Sequence, residues 1–461
     1  MHPLLSRDLK RLPELLEQAR NYAVSVLADL PSRPAAVPPA PKDAEPLPEE
    51  GIGSAAALEH FQRRWATGFS GSAGSRYLGF VTGGATPAAV VGDWLTGVFD
   101  QNVVSSSDSC ATDLERETVG WLRELFGLSA EHSGAFVTGA TMSNFVGLAI
   151  GREWVGEQLG VSIADDGLAA VGDIPVLSSS PHSSTFKALS MLGIGRNSVR
   201  RIPSLPGREA VDVDQLAAEL EALDGRPAIV VANAGTVNTV DFDDLRALAE
   251  LRQRHRFWLH VDAAFGGFAA LSPRYADLVA GLDQADSICI DLHKWLNVPY
   301  DSGVQFSRRP DLQVRIFQNY ATYLGLPGPD PDFVHLTPES SRRLRALPAW
   351  FTLTAYGRQG HREIVERDAA LAQELGNRIS AAPHLRLLAP VRLNTVCFTL
   401  AEQPTAEKID ALANAIARSG QTFLSPTVHQ GVPALRAAVS NWRTTEDDLP
   451  KIMDALGCPA A

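Results

Sequence analysis

The sequence predicts an α/β fold: a large domain on a mostly parallel sheet covered by helices, followed by a smaller α+β domain. Three observations predict it. From about Tyr77 to Arg308, short apolar runs alternate with helical patterns, as in strands joined by crossover helices. After Leu347 the pattern changes to strand, helix and strand. The length of 461 residues exceeds what one hydrophobic core usually serves. The expected division is an N-terminal extension over residues 1–76, a large domain over 77–345 and a small domain over 346–461.

The extension opens with an amphipathic stretch from Leu4 to Leu30 that reads as one or two helices. The prolines from Pro31 to Pro48 then forbid regular helix and favour an extended strap. A helix and strap of this kind cannot bury their apolar face alone, so a neighbouring subunit is the expected partner. In TDLERETVGWLRELFGL, Thr112 and Glu115 have capping-box spacing, and Leu114, Leu122, Leu125 and Phe126 fall where a helix buries them. Buried strands are expected at GAFVT, IPVLS, AIVVAN, FWLHVD and SICID. The helix FDDLRALAELRQRH is expected to be capped by Asp243. In the small domain, RLNTVCFTL and PALRAAVS read as strands and TAEKIDALANAIARSG as a helix ended by Gly420.

Composition sets the outer bounds. Hydrophobic residues make up 45% and charged residues 20%, enough for a large core without disorder. The net charge of -12 argues against nucleic acid or an anionic membrane as the main partner. Cys110, Cys289, Cys397 and Cys458 are far apart and lack CxxC spacing, which argues for reduced thiols in a cytoplasm and against a zinc site. No apolar run approaches the roughly 20 residues that span a bilayer, and the N-terminus lacks a signal-peptide pattern.

Four segments at expected strand ends carry chemistry. FVTGATMSNFVGL is a strand, a small-residue turn and a helix start; its amides, with the hydroxyls of Thr138 and Thr141, suit a phosphate. In LSSSPHSSTFKAL, His182 opens a helix. In FWLHVDAAFGG, Asp262 ends an apolar strand where an unpaired carboxylate is expensive, and the small residues after it let something flat lie close. In SICIDLHKWLNVPYDSG, Lys294 follows Asp291 by three residues, where a lysine can serve as a nucleophile in its neutral form. Each segment alone also suits an ordinary turn, cap or ion pair. Together they offer a phosphate cradle, a stacking ring, a buried carboxylate and a strand-end lysine, which are what pyridoxal phosphate requires.

At these residues the sequence resembles the group II pyridoxal-phosphate decarboxylases, which include the aromatic L-amino-acid, histidine, glutamate and diaminobutyrate decarboxylases. DLHKW resembles their lysine motif, HVDAAFGG their cofactor-aspartate segment, PHSSTFKAL their stacking-histidine segment and NAGTVNTVDFDDL the loop between, in the same order from about Tyr77 to the C-terminus. The resemblance implies a fold type I, aspartate-aminotransferase-like architecture and an obligate homodimer with shared active sites, its N-terminal strap wrapping the partner. It implies that Lys294 joins the cofactor aldehyde as an imine, that Asp262 pairs with the pyridine nitrogen, that His182 stacks on the ring and that Ala264 packs on the other face. Thr138, Gly139, Ala140 and Thr141, with Asp291 and His293, are implied around the phosphate, and Asn233 near the ring substituents.

The sequence also departs from the family. DSCATDLE, Asp108 to Glu115, stands where members usually have Ser-Pro-Ala-Ala-Thr-Glu-Leu-Glu. Members carry a loop tyrosine that protonates the carbanion about ten residues before an Arg-rich segment; here Phe333 falls at that spacing from Arg342, and a phenyl ring has no proton to give. In plant members a Phe there goes with oxygen-dependent conversion to an aldehyde, ammonia and peroxide. Tyr320, Tyr323 and His335 are the alternative donors. The resemblance thus implies decarboxylation of an L-amino acid, an aromatic one among the options, with Lys294, His182 and Phe333 at the chemistry. The rivals are an aldehyde synthase, an aminotransferase holding the substrate carboxylate with Arg436 or Arg443, and a non-catalytic cofactor-binding protein. Structural salt bridges are the expected use of both arginines.

Overall fold

The computed structural model describes residues 1–319, 328 and 330–457. Runs that are apolar on both faces become central strands, because only a sheet covered on both sides can bury them. The large sheet is built from β1 (Ser133–Val137), β2 (Val176–Ser178), β3 (Val199–Arg201), β4 (Ala228–Asn233), β5 (Phe257–Asp262), β6 (Ser287–Ile290) and β7 (Gly303–Ser307). Its order is β1-β7-β6-β5-β4-β2-β3. β7 runs antiparallel to both β1 and β6, while the pairs from β6 through to β3 are parallel. Asn233 therefore pairs with Asp262, and Asp262 with Cys289, which brings the carboxyl ends of β4, β5 and β6 to one rim. Ligands gather at such rims.

The helix Ala140–Gln158 buries most of its surface against one face of this sheet. On the other side run the helices Pro87–Phe99 and Ala111–Leu125 and the long helix Ala346–Ala381, which is interrupted at Gly357, where φ is 57°. A second sheet of order β10-β11-β9-β8 follows, from β8 (Leu385–Leu387), β9 (Thr395–Leu400), β10 (Ser425–His429) and β11 (Val432–Ala438). Its core includes Leu78 as well as residues from Leu371 onward, because Leu78 donates its amide to Phe423 O at 3.0 Å. The helix Ala406–Ser419 ends at Gly420 in the left-handed region, as the sequence indicates.

Two caps differ from expectation. Helix Leu245–Leu251 is capped by Asp244, whose carboxylate accepts from Ala247 N at 3.0 Å. Asp243 is buried one residue earlier, where it accepts from the amides of Val211 and Asn233. Thr112 and Glu115 form no capping box: Thr112 is already inside the helix, and Glu115 is drawn into the core by Arg342 Nη2 at 2.6 Å. The N-terminal stretch forms two helices, Pro3–Lys10 and Leu12–Ala28, neither of which buries a residue within the subunit. No helix among the described residues is long and apolar enough to cross a membrane.

Candidate active site

The rim of the large sheet holds a cavity of about 390 Å³, within the roughly 300–1,000 Å³ typical of small-molecule sites. Its first wall is the turn after β1. Thr138 and Gly139 lead into helix Ala140–Gln158, and Gly139 supplies no side-chain cap, so the amides of the first turn are open to a ligand. Close approach of the His293 ring and of the neighbouring backbone explains the glycines here. A Cβ on Gly139 would meet His293 Cε1 at 2.9 Å, and one on Gly303 would lie 2.7 Å from Gly139 Cα. The start of β7 thus passes against the turn with no room for a side chain.

The second wall comes from β6. Asp291 follows its last residue, and one helical turn, Leu292–Trp295, carries His293 and Lys294. Lys294 Nζ lies 3.4 Å from Asp291 Oδ2, and His293 Nε2 lies 3.1 Å from Asp291 Oδ1. Burial pushes the Asp291 carboxyl up, but Lys294 and His293 outweigh it and hold its pKa below the usual carboxylate range. Lys294 also lies 5.3 Å from the Phe265 ring.

At the end of β5, Asp262 accepts from Asn144 Nδ2 at 2.9 Å through Oδ2 and from Ala264 N at 3.2 Å through Oδ1. Its neighbour on β4 is Asn233. His182 is the N-cap of helix Ser183–Met191, with Nδ1 2.8 Å from Ser184 Oγ, and burial lowers its pKa. Thr138, Gly139, Ala140, Thr141, His182, Asn233, Asp262, Ala264, Asp291, His293 and Lys294 all line this one cavity. An open helix start for an anion, a buried carboxylate for a protonated ring nitrogen and an amine fit pyridoxal phosphate, and the glycine contacts leave the cradle free of side chains.

Phe333 stands apart from this group. It is buried in the core that packs on the large sheet, 4.7 Å under the Arg342 guanidinium and 5.5 Å from that of Arg116. Spacing along the chain does not bring it to the cavity within a subunit, because it covers the buried Arg342–Glu115 pair. His335 is likewise buried, and its Nδ1 accepts from Asn319 N at 3.1 Å. Tyr320 and Tyr323 lie outside the described residues.

Sequence reasoning underrated several lining residues. Arg436, on β11, reaches the cavity and donates to the carbonyls of Val237 and Phe80, while its Nε has no partner among the described residues. Arg443 is elsewhere, over the Trp442 ring at 4.3 Å. Backbone and ring contacts thus replace the salt bridges expected for the two arginines. Phe80, Val81 and Tyr300 also line the cavity, Tyr300 with its ring 4.2 Å from that of His293. Asn144 could have been suspected, since a buried amide in the apolar helix NFVGLAIG must have a partner.

Comparison with known proteins decides the family. The pyridoxal-dependent decarboxylase conserved domain matches residues 55–401. The chain belongs to this family. The decarboxylase is 31% identical over 438 residues to L-2,4-diaminobutyrate decarboxylase of Rhizobium meliloti, covering 90% of this chain and 84% of that one. It is 28% identical over 426 residues to aromatic-L-amino-acid decarboxylase of Bacillus atrophaeus, covering 89% of this chain and 86% of that one. Its fold matches the crystal structure of Oryza sativa TDC with PLP and tryptamine, with a TM-score of 0.90, 22% identity, and coverage of 99% and 98% of the two chains. The protein is a pyridoxal-phosphate-dependent carboxy-lyase of amino acids, with the fold type I architecture.

Proposed function

We propose that this decarboxylase converts an aromatic L-amino acid to its amine and carbon dioxide, with Lys294 as the residue that holds the cofactor. One observation carries the substrate class. Beyond the cofactor residues, the cavity wall combines the apolar and aromatic side chains of Phe80, Val81, Met142, Val237, Phe265 and Tyr300 with the hydroxyls of Ser180, Ser184 and Thr236 and a single guanidinium, Arg436. Asp262 and Asp291 are engaged by Asn144 and Lys294. Among the described lining residues of the subunit, that leaves no carboxylate free for a side-chain ammonium and, apart from the cofactor residues, no second cation for a side-chain carboxylate. An aromatic side chain suits such a wall. The name of the Bacillus atrophaeus relative and the tryptamine in the Oryza sativa structure agree with this reading.

Pyridoxal phosphate, when bound, supplies an electron sink for the pair released when the Cα–carboxylate bond breaks. The chain supplies the rest. The open amides at Gly139 to Thr141 and the hydroxyls of Thr138 and Thr141 would hold the phosphate. Asp262 would accept from the ring nitrogen, His182 and Ala264 would flank the ring, and Asn233 would lie near its substituents, since all four line the cavity. Arg436, fixed by two backbone carbonyls, places its positive charge at the cavity wall for the substrate carboxylate and so sets which bond at Cα is presented for cleavage.

The working unit in this proposal is a homodimer with shared sites, in which the exposed Leu5, Leu9, Leu12 and Leu16 of the N-terminal helices cover the partner. The division at residues 1–76, 77–345 and 346–461 belongs to the same proposal, supported by the long helix that begins at Ala346. A cytoplasmic location suits the free thiols of Cys110, Cys289 and Cys397.

The test is a comparison of kcat/KM for L-tryptophan, L-tyrosine and L-phenylalanine against L-2,4-diaminobutyrate and L-aspartate, with products identified in air. The expected result is at least a roughly 10-fold preference for one aromatic substrate, the scale a mismatched pocket imposes, and amine as product. A preference for diaminobutyrate or aspartate would remove the substrate assignment. Aldehyde with matching peroxide and ammonia would remove the product assignment.

A further inference from the structure

Asn144 lies one turn inside helix Ala140–Gln158, fully buried, and makes contacts in three directions. Its Nδ2 is 2.9 Å from Asp262 Oδ2 and 3.1 Å from Ser184 Oγ; its Oδ1 is 2.8 Å from His260 Nε2. We propose that Asn144 is the positioning residue of this site, one amide that holds both Asp262 and, through Ser184, the ring of His182 in register for the cofactor. The inference rests on the cofactor roles proposed above for Asp262 and His182.

Hydrogen-bond chemistry fixes every donor in the chain. A carboxylate only accepts, so the amide nitrogen of Asn144 must face Asp262 and its oxygen must face His260. His260 Nε2 then carries the ring proton. Nδ1 is left to accept from Ser287 Oγ at 2.8 Å, and Ser287 Oγ in turn accepts from Trp258 Nε1 at 2.9 Å. Burial pushes the His260 pKa down to about 4, so the ring is neutral in the working range. On the other branch, Ser184 N donates to His182 Nδ1 at 3.3 Å, so that nitrogen is bare. The Ser184 hydroxyl oxygen accepts a hydrogen bond from Asn144 Nδ2 and its O–H donates to His182 Nδ1 at 2.8 Å, which places the His182 proton on Nε2. An amide cannot pass protons along such a chain, so its work is orientation. The Trp258, Ser287 and His260 groups prevent the amide from flipping, and the amide fixes the acceptor and the stacking ring together.

The test uses the full-length protein, with pyridoxal phosphate affinity and the visible spectrum of the bound cofactor as readouts, and melting of the cofactor-free protein as a folding control. Asn144→Ala is expected to weaken cofactor binding roughly 10- to 100-fold, as loss of a buried hydrogen bond to a charged group implies, and to shift the absorbance maximum. Ser184→Ala keeps the bond to Asp262 and should weaken binding by less than about 10-fold. Wild-type affinity and spectrum in a folded Asn144→Ala protein, or a lowered melting temperature with no spectral change, would overturn the inference. If Asn144→Ala does not fold, Ser184→Ala decides: an altered spectrum supports the inference and an unchanged one overturns it. A wild-type protein that binds no cofactor would overturn the functional reading itself, which separates the two failures.

Discussion

Arg436 lines the cavity with a guanidinium whose two terminal nitrogens are held by the carbonyls of Val237 and Phe80 and whose Nε is buried without a partner among the described residues. A cation fixed in this way binds a carboxylate at a fixed place. Arg436→Met should therefore lower kcat/KM roughly 10- to 100-fold, the worth of a charge-assisted hydrogen bond, mainly through KM. The bound-cofactor spectrum should stay as in the wild type; a lost cofactor with an unchanged KM would show that Arg436 serves the cofactor instead. At this scale the sequence revealed residues whose chemistry is costly where they stand. Asp262 ends an apolar strand and Asp291 and Lys294 follow another, so a polar partner had to exist. Arg436 and Tyr300 gave no comparable signal. Arg436 lies on β11, and only the meeting of two sheets brings it to a cavity built from β1, β4, β5 and β6. Phe333 shows the converse error, since a spacing from Arg342 measured along the chain corresponds in space to a ring lying under that guanidinium.

Elements set the shape of the cradle. The turn after β1 and the first residue of β7 touch backbone to backbone at Gly139 and Gly303, with the imidazole of His293 closing the third side. Gly303→Ala would force a methyl group to within 2.7 Å of Gly139 Cα and displace the amides at the start of helix Ala140–Gln158 that are proposed to hold the phosphate. The expected outcome is a pyridoxal phosphate dissociation constant raised at least roughly 10-fold, as overpacking costs of about 1–3 kcal/mol imply; titration of the cofactor-free protein measures it, and an unchanged constant would place the phosphate elsewhere. The strands that were legible, β1, β2, β4, β5, β6, β9 and β11, are those whose apolar runs stand out between turn signals. β3 is VRR, half-exposed and polar, and β10 contains Pro426, so neither carries a strand pattern. β7 is buried throughout but carries Gln305 at its centre, and it is the strand that reverses direction in the large sheet. Helix ends were legible to within a few residues: the helix expected through His255 ends at Leu251, and tertiary hydrogen bonds decide which of the adjacent Asp243 and Asp244 caps and which is buried.

At the level of the molecule, the N-terminal helices expose Leu5, Leu9, Leu12 and Leu16, and the helix Pro87–Phe99 exposes Trp94, Val98 and Phe99. Water-facing side chains of this size in such number call for a second protein surface. Leu9→Glu combined with Leu16→Glu should shift the protein from dimer to monomer in analytical ultracentrifugation and reduce activity with it, whereas a monomeric wild type would remove the shared-site proposal. The central claim concerns the chemistry at Lys294. Its most direct measurement is carbon dioxide release from a panel of L-amino acids by the wild-type protein and by Lys294→Ala, each supplied with pyridoxal phosphate. The expected result is release by the wild type from at least one aromatic amino acid and a loss of at least about 10³-fold in Lys294→Ala, on the scale of removing a covalent catalytic group. Equal release by the two proteins, or none from any amino acid by a wild type carrying bound cofactor, would contradict it.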